Sequence, residues 1–96
     1  MEILLEEYVP DAIILTDLDE AIIGIVESFG GGSSILYDKN KILDILMERD
    51  GMTRSEAEEF YDYNILGGYF GESNPVFLDR NVKMVQENKQ TKFVII

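Results

Sequence analysis

The stretch EAIIGIVESFGGGSSILY, residues 20–37, decides the fold. Its first arm, Ala21–Phe29, is rich in β-branched residues and reads as a strand. Gly30, Gly31, Gly32 and Ser33 follow, a flexible turn able to take positive φ. The residues SILY, 34–37, then read as the return strand of a β-hairpin. Gly24 inside the first arm signals either a bulge or the close approach of a neighbour.

Outward from the hairpin, toward the C-terminus, the period changes from two to about four. Asp38 is placed to accept backbone N–H bonds at the start of a helix over Lys39–Arg49. Ile42, Leu43, Ile45 and Leu46 give that helix one apolar face. Gly51 suits the left-handed residue that ends it. Thr53 and Glu56 form a T-x-x-E capping box, and Met52 is set to staple onto Ala57. A second helix is therefore expected over Arg54–Leu66, with Ala57, Phe60, Tyr61 and Asn64 on one face. The short link makes the two helices an antiparallel helical hairpin. Gly67 and Gly68 end it, and a turn-rich link leads through Pro75 to a strand at Val76–Leu78.

The expected fold class is α+β: a small antiparallel sheet, hairpin plus C-terminal strand, packed against the helical hairpin. Residues 1–78 form a single domain. Residues 79–96 are a polar tail, mobile or marginally helical, whose last residues KFVII have edge-strand character. Toward the N-terminus the signals are weaker. Residues 1–9 read as an edge strand or a frayed turn ended by Pro10. The AIIL run at 12–15 is a short strand candidate or a helical turn.

Composition removes most chemistries. The 96 residues contain neither cysteine nor histidine. Disulfides, thiolate nucleophiles, Cys or His metal ligands and Ser-His pairs are all absent. Asp17, Asp19 and Glu20, and Asp38 with Asn40, lack the glycine and the bidentate Glu of a calcium loop. Gly30–Gly32 has no Lys-Ser/Thr behind it, so it is no phosphate loop. No Glu/Asp pair stands out as an acid–base couple. The expectation is therefore no enzyme, no metal and no cofactor.

Charge is the strongest functional signal. Residues 1–66 carry sixteen acidic and four basic side chains, residues 67–96 three acidic and four basic. With a net charge of −11 and a pI near 4.2, the chain repels nucleic acid and anionic membranes and attracts basic protein surfaces. No apolar run is long enough for a transmembrane helix. Residues 1–10 hold acids where a signal peptide needs bases, so a cytoplasmic location is expected.

The segment Glu20–Leu78 resembles a widespread family of small, largely uncharacterised proteins of bacteriophages, prophages and bacteria. The matching residues are Gly24, Tyr37 with Asp38, Asp50-Gly51-Met52, Glu56 with Ala57, Asn64, Gly67, and Gly71-Glu72-x-x-Pro75. The Gly30–Ser34 turn is longer than the family's usual one. The resemblance implies a phage or prophage origin, with host cytoplasm as the place of action. It transfers no catalytic residue.

Two candidate partner-binding surfaces follow. The first is acidic: Asp44, Glu48, Asp50, Glu56, Glu58, Glu59 and Asp62. Carboxylates three or four residues apart on a helix lie about 5–6 Å from one another, near the phosphate spacing of one DNA strand. Such a face could occupy the nucleic-acid groove of a host defence nuclease, as anti-CRISPR or antirestriction proteins do. Its plain reading is a solubilising helix face. The second is aromatic: Tyr63 and Tyr69, with Phe60, Tyr61 and Phe70 expected to close the core. In that alternative the chain is a non-catalytic regulatory module working through its aromatic patch or a homodimer surface. Residues MEILL and KFVII are able to pair between chains. Asn64, on the buried face, is expected to hold the backbone of the Gly67–Pro75 loop. Arg80, Lys83, Lys89 and Lys92 are expected to pair with the acidic body or a second subunit.

Overall fold

A computed structural model describes residues 13–30, 32–68 and 74–83. The hairpin forms as read. Strand β1 (Ile22–Ser28) pairs antiparallel with β2 (Gly32–Asp38). Ile22 opposes Tyr37 while Gly24 opposes Leu36, so Ile23 is the extra residue of a β-bulge. Among the described residues a Cβ at Gly24 would meet nothing within 4 Å. Of the two readings of that glycine, the described residues show the bulge and no close approach. The turn uses left-handed backbone at Gly30 (φ 78°) and Gly32 (φ 76°).

Helix α1 (Lys39–Asp50) begins where β2 ends. The Asp38 carboxylate accepts from the amides of Asn40 at 2.9 Å and Lys41 at 3.2 Å. Gly51 closes the helix at φ 70°. Helix α2 (Arg54–Phe60) starts with the full capping box: Thr53 N–H donates to Glu56 Oε1 at 2.9 Å, and Glu56 N–H donates to Thr53 Oγ1 at 3.1 Å. Ile42, Leu43 and Leu46 of α1 pack with Ile35 and Tyr37 of β2 and with Ala57, and Met52 packs against this cluster.

The second helix spans the expected residues but changes type. Tyr61–Leu66 is a π-helix, closed by Gly67 N–H donating to Asp62 O at 3.0 Å. This change reorders the faces. In an α-helix the fourth residue along lies past the full turn, because a turn takes 3.6 residues. The wider turn keeps residues four apart more nearly in line, and Ala57, Tyr61 and Ile65 are the buried set. Phe60 and Asn64, expected in the core, are exposed. Asn64 Nδ2 donates to Phe60 O at 3.3 Å, inside its own helix, and not to the following loop.

Strand β3 (Val76–Leu78) joins the sheet beside β2, in the order β1-β2-β3. It runs parallel to β2, not antiparallel as expected, so the sheet is mixed. β2 and β3 are joined by a crossover through both helices, and a parallel pair needs a long connection of this kind, which a tight hairpin turn cannot supply. Phe77 pairs with Tyr37 in register and stacks on it at 6.0 Å between centroids. Tyr61 meets the same Phe77 ring edge-on at 5.5 Å and 84°.

Ion pairs clamp the crossover shut. Arg80 Nε meets Asp38 Oδ2 at 2.9 Å, Arg80 N–H donates to Asn40 Oδ1 at 2.9 Å, and Lys39 Nζ meets Asp79 Oδ2 at 3.3 Å. The residues just past β3 are thus tied to the body, as expected for Arg80. Of the AIIL run, Ile13–Leu15 forms no strand. The Leu15 amide donates instead to the buried Tyr37 hydroxyl at 2.8 Å. A 3-10 turn at Asp19–Ala21 then leads into β1. Residues 1–9 and KFVII lie outside the described residues, as do Lys89 and Lys92.

Candidate functional site

The acidic residues are not one uniform line. Three of the seven are committed internally. Asp50 is gripped through both oxygens by Arg49, at 3.0 and 3.2 Å. Glu58 pairs with Arg54 at 2.8 Å. Glu56 serves the capping box with Oε1. The Thr53 amide, helped by the Thr53 hydroxyl, holds the Glu56 carboxyl below the usual carboxylate range. The remaining four, Asp44, Glu48, Glu59 and Asp62, are exposed, and their carboxylates accept no hydrogen bond from the described residues.

Three of the seven line grooves, Glu48 in one and Glu56 with Glu59 in another. One is lined by Asp17, Asp19, Glu20, Ile45, Glu48 and Arg49. It adds three carboxylates that reading helix by helix did not join to Glu48. They lie some thirty residues away in sequence, and only the fold brings them there. This groove contains its own cation. Arg49 Nη1 donates to the Asp17 carbonyl at 2.7 Å while its fork holds Asp50. Among the described residues no three acidic side chains are grouped so as to hold a metal ion.

The other groove, of about 310 Å³, is lined by Met52, Glu56, Glu59, Phe60, Tyr63 and Asn64. Here members of the two candidate surfaces meet. Glu56 and Glu59 come from the acidic set and Tyr63 from the aromatic set. Phe60 joins them because the helix widens directly after it. Tyr63 is 77% exposed and Phe60 38%. No cation lines this groove among the described residues. Tyr69 and Phe70 lie outside the described residues, as does the Gly71-Glu72 pair.

The same pairing of ring and carboxylate recurs on the other side of the helix, where it is filled. Lys39 Nζ sits 5.0 Å above the Tyr61 ring centroid and pairs with Asp79. Burial pushes the Tyr61 hydroxyl up to about 12, with Asp62 and Asp79 adding to the rise.

Comparison with protein-family models, with curated proteins and with solved structures finds no match to this chain. Among the described residues no helix is long and apolar enough to cross a membrane.

Proposed function

We propose that this chain is a small, non-catalytic binding protein that docks onto a basic protein surface. The observation that carries this reading is the groove at Met52, Glu56, Glu59, Phe60, Tyr63 and Asn64, where exposed aromatic rings and carboxylates share one concave patch. Exposed aromatics supply interface anchors, and the net charge of −11 steers basic partners toward it. In its sharpest form the partner is a host defence nuclease whose nucleic-acid groove the acidic face occupies, in the manner of an anti-CRISPR or antirestriction protein. The phage and prophage resemblance of Glu20–Leu78 supports that form. Internal engagement of Asp50 and Glu58 argues that recognition leans on Glu56, Glu59 and the rings of the groove more than on a continuous line of charge.

The test is a tagged capture from bacterial lysates, including strains with CRISPR and restriction systems, washed at low and high salt. A nucleic-acid-binding effector retained at low salt, and lost when Glu58, Glu59 and Asp62 are changed to Lys, is the expected result. Capture untouched by those reversals, yet lost with Tyr63→Ala, would replace electrostatic blockade by apolar docking. Retention of the chain by itself alone would point to self-assembly.

A further inference from the structure

We infer that the groove between Met52 and the Phe60–Tyr63 pair seats one arginine side chain of the basic partner, a deepening that rests on the binding reading above. The argument starts from what the groove offers and lacks. It presents two carboxylates, Glu56 and Glu59, and two exposed rings, with no cation of its own among the described residues. The Glu56 carboxyl stays ionised because the Thr53 amide and hydroxyl favour its charged form. One of its oxygens serves that cap, and the residue lines the groove beside Glu59. Glu59 has no partner among the described residues.

The fold supplies its own precedent. At Tyr61 a cation lies over a tyrosine ring and is neutralised by a nearby carboxylate, and the cation is Lys39 of this chain. The groove repeats that recipe on the opposite face with two rings and two carboxylates, and nothing in the described chain fills it. The other acidic groove differs on this point, since Arg49 already occupies it.

Arginine fits better than lysine. Its guanidinium is planar, stacks on aromatic faces, is weakly hydrated and bonds carboxylates through a fork. A lysine ammonium would gain the charge but less from the rings.

The experiment is an NMR titration of the full chain with hexa-arginine and with hexa-lysine at about 0.15 M salt. Hexa-arginine is expected to shift the Phe60 and Tyr63 resonances and to bind about tenfold more tightly than hexa-lysine. Tyr63→Ala should erase that preference with an unchanged circular dichroism spectrum, and Tyr63→Phe should keep it. Equal affinities, or shifts centred on Asp17, Asp19, Glu20 and Glu48, would overturn the arginine seat while leaving the basic-partner reading standing. Failure of both peptides to bind even at low salt would overturn the two together.

Discussion

Phe60 and Tyr61 are chain neighbours with opposite roles. Tyr61 is 1% exposed, wedged edge-on against Phe77 beneath the Lys39 ammonium. Phe60, with Tyr63, opens onto solvent beside Glu56 and Glu59. One ring set is closed over by the crossover and its ion pairs; the other is left uncovered. The difference lies in what each ring meets. Aromatic rings here are buried where a strand and a cation cover them, and exposed where Met52, Glu56, Glu59 and Asn64 border them.

Substitutions that exchange these roles test the contrast most severely. Tyr61→Ala should cost about 3–5 kcal/mol, read as a lower urea midpoint, because it empties a site enclosed by Phe77, Ile65 and Ala57. Phe60→Ala should stay within about 1 kcal/mol by the same measurement. Equal losses would dissolve the distinction. The buried hydroxyl adds a pH signature. Because its folded value is raised to about 12, its contribution is intact below pH 10 and is lost as pH climbs from about 10 toward 12. Alkaline melting curves of Tyr61→Phe should therefore fall less steeply than those of the parent chain.

The register that separates the rings depends on the wide turn after Phe60. At Gly67 a Cβ would stand 2.8 Å from the Asp62 carbonyl and 3.2 Å from that of Tyr63. Gly67→Ala should thus destabilise by about 1–3 kcal/mol in thermal melts. Tolerance of alanine would mean that the turn is not held by this contact.

Smaller again is the clamp at the crossover. Asp38→Ala should cost about 1 kcal/mol for the lost cap, plus the lost hold on Arg80. Partial burial pushes the Asp38 carboxyl up, but the Arg80 hydrogen bond and charge, with the Lys41 and Asn40 amides, outweigh it and leave it below its ordinary range. The stabilisation is therefore present above about pH 4 and lost as pH falls below that, through the folded value. Acid melts of the Asp38→Ala variant should show a shallower loss than the parent. Least of all, Tyr63→Ala and Glu59→Gln should leave stability within about 0.5 kcal/mol while weakening partner binding. A large drop in stability for either would make the groove part of the core.

Local signals carried most of the fold. The Asp38 cap, the Thr53–Glu56 box, left-handed Gly51 and the Gly24 bulge each rest on a few adjacent residues, and each is legible in order along the chain. Three features were not. The parallel sense of β3 depends on how two helices return the chain, which no short window encodes. Exposure of Phe60, expected in the core beside Tyr61, goes with a change of helical turn that a fixed period cannot register. The Asp17–Glu20 side of the second groove meets Glu48 and Arg49 only once α1 has docked. The candidate residues were legible as two lists, acidic and aromatic; that Glu56, Glu59 and Tyr63 line one groove with Phe60 emerges only in the fold.

The parallel strand also governs the order of assembly. The hairpin joins residues close in sequence, so it can form early. β3 pairs across a long stretch of sequence, with partners such as Asn40 and Arg80 forty residues apart, so it is expected to form after the helices. Among the described residues this three-residue strand is held from one side only, which makes it the expected first element to leave. Its amides should exchange with solvent well before those of β2. Each such excursion uncovers the Tyr37 and Tyr61 rings, making Val76–Leu78 the latch on the core.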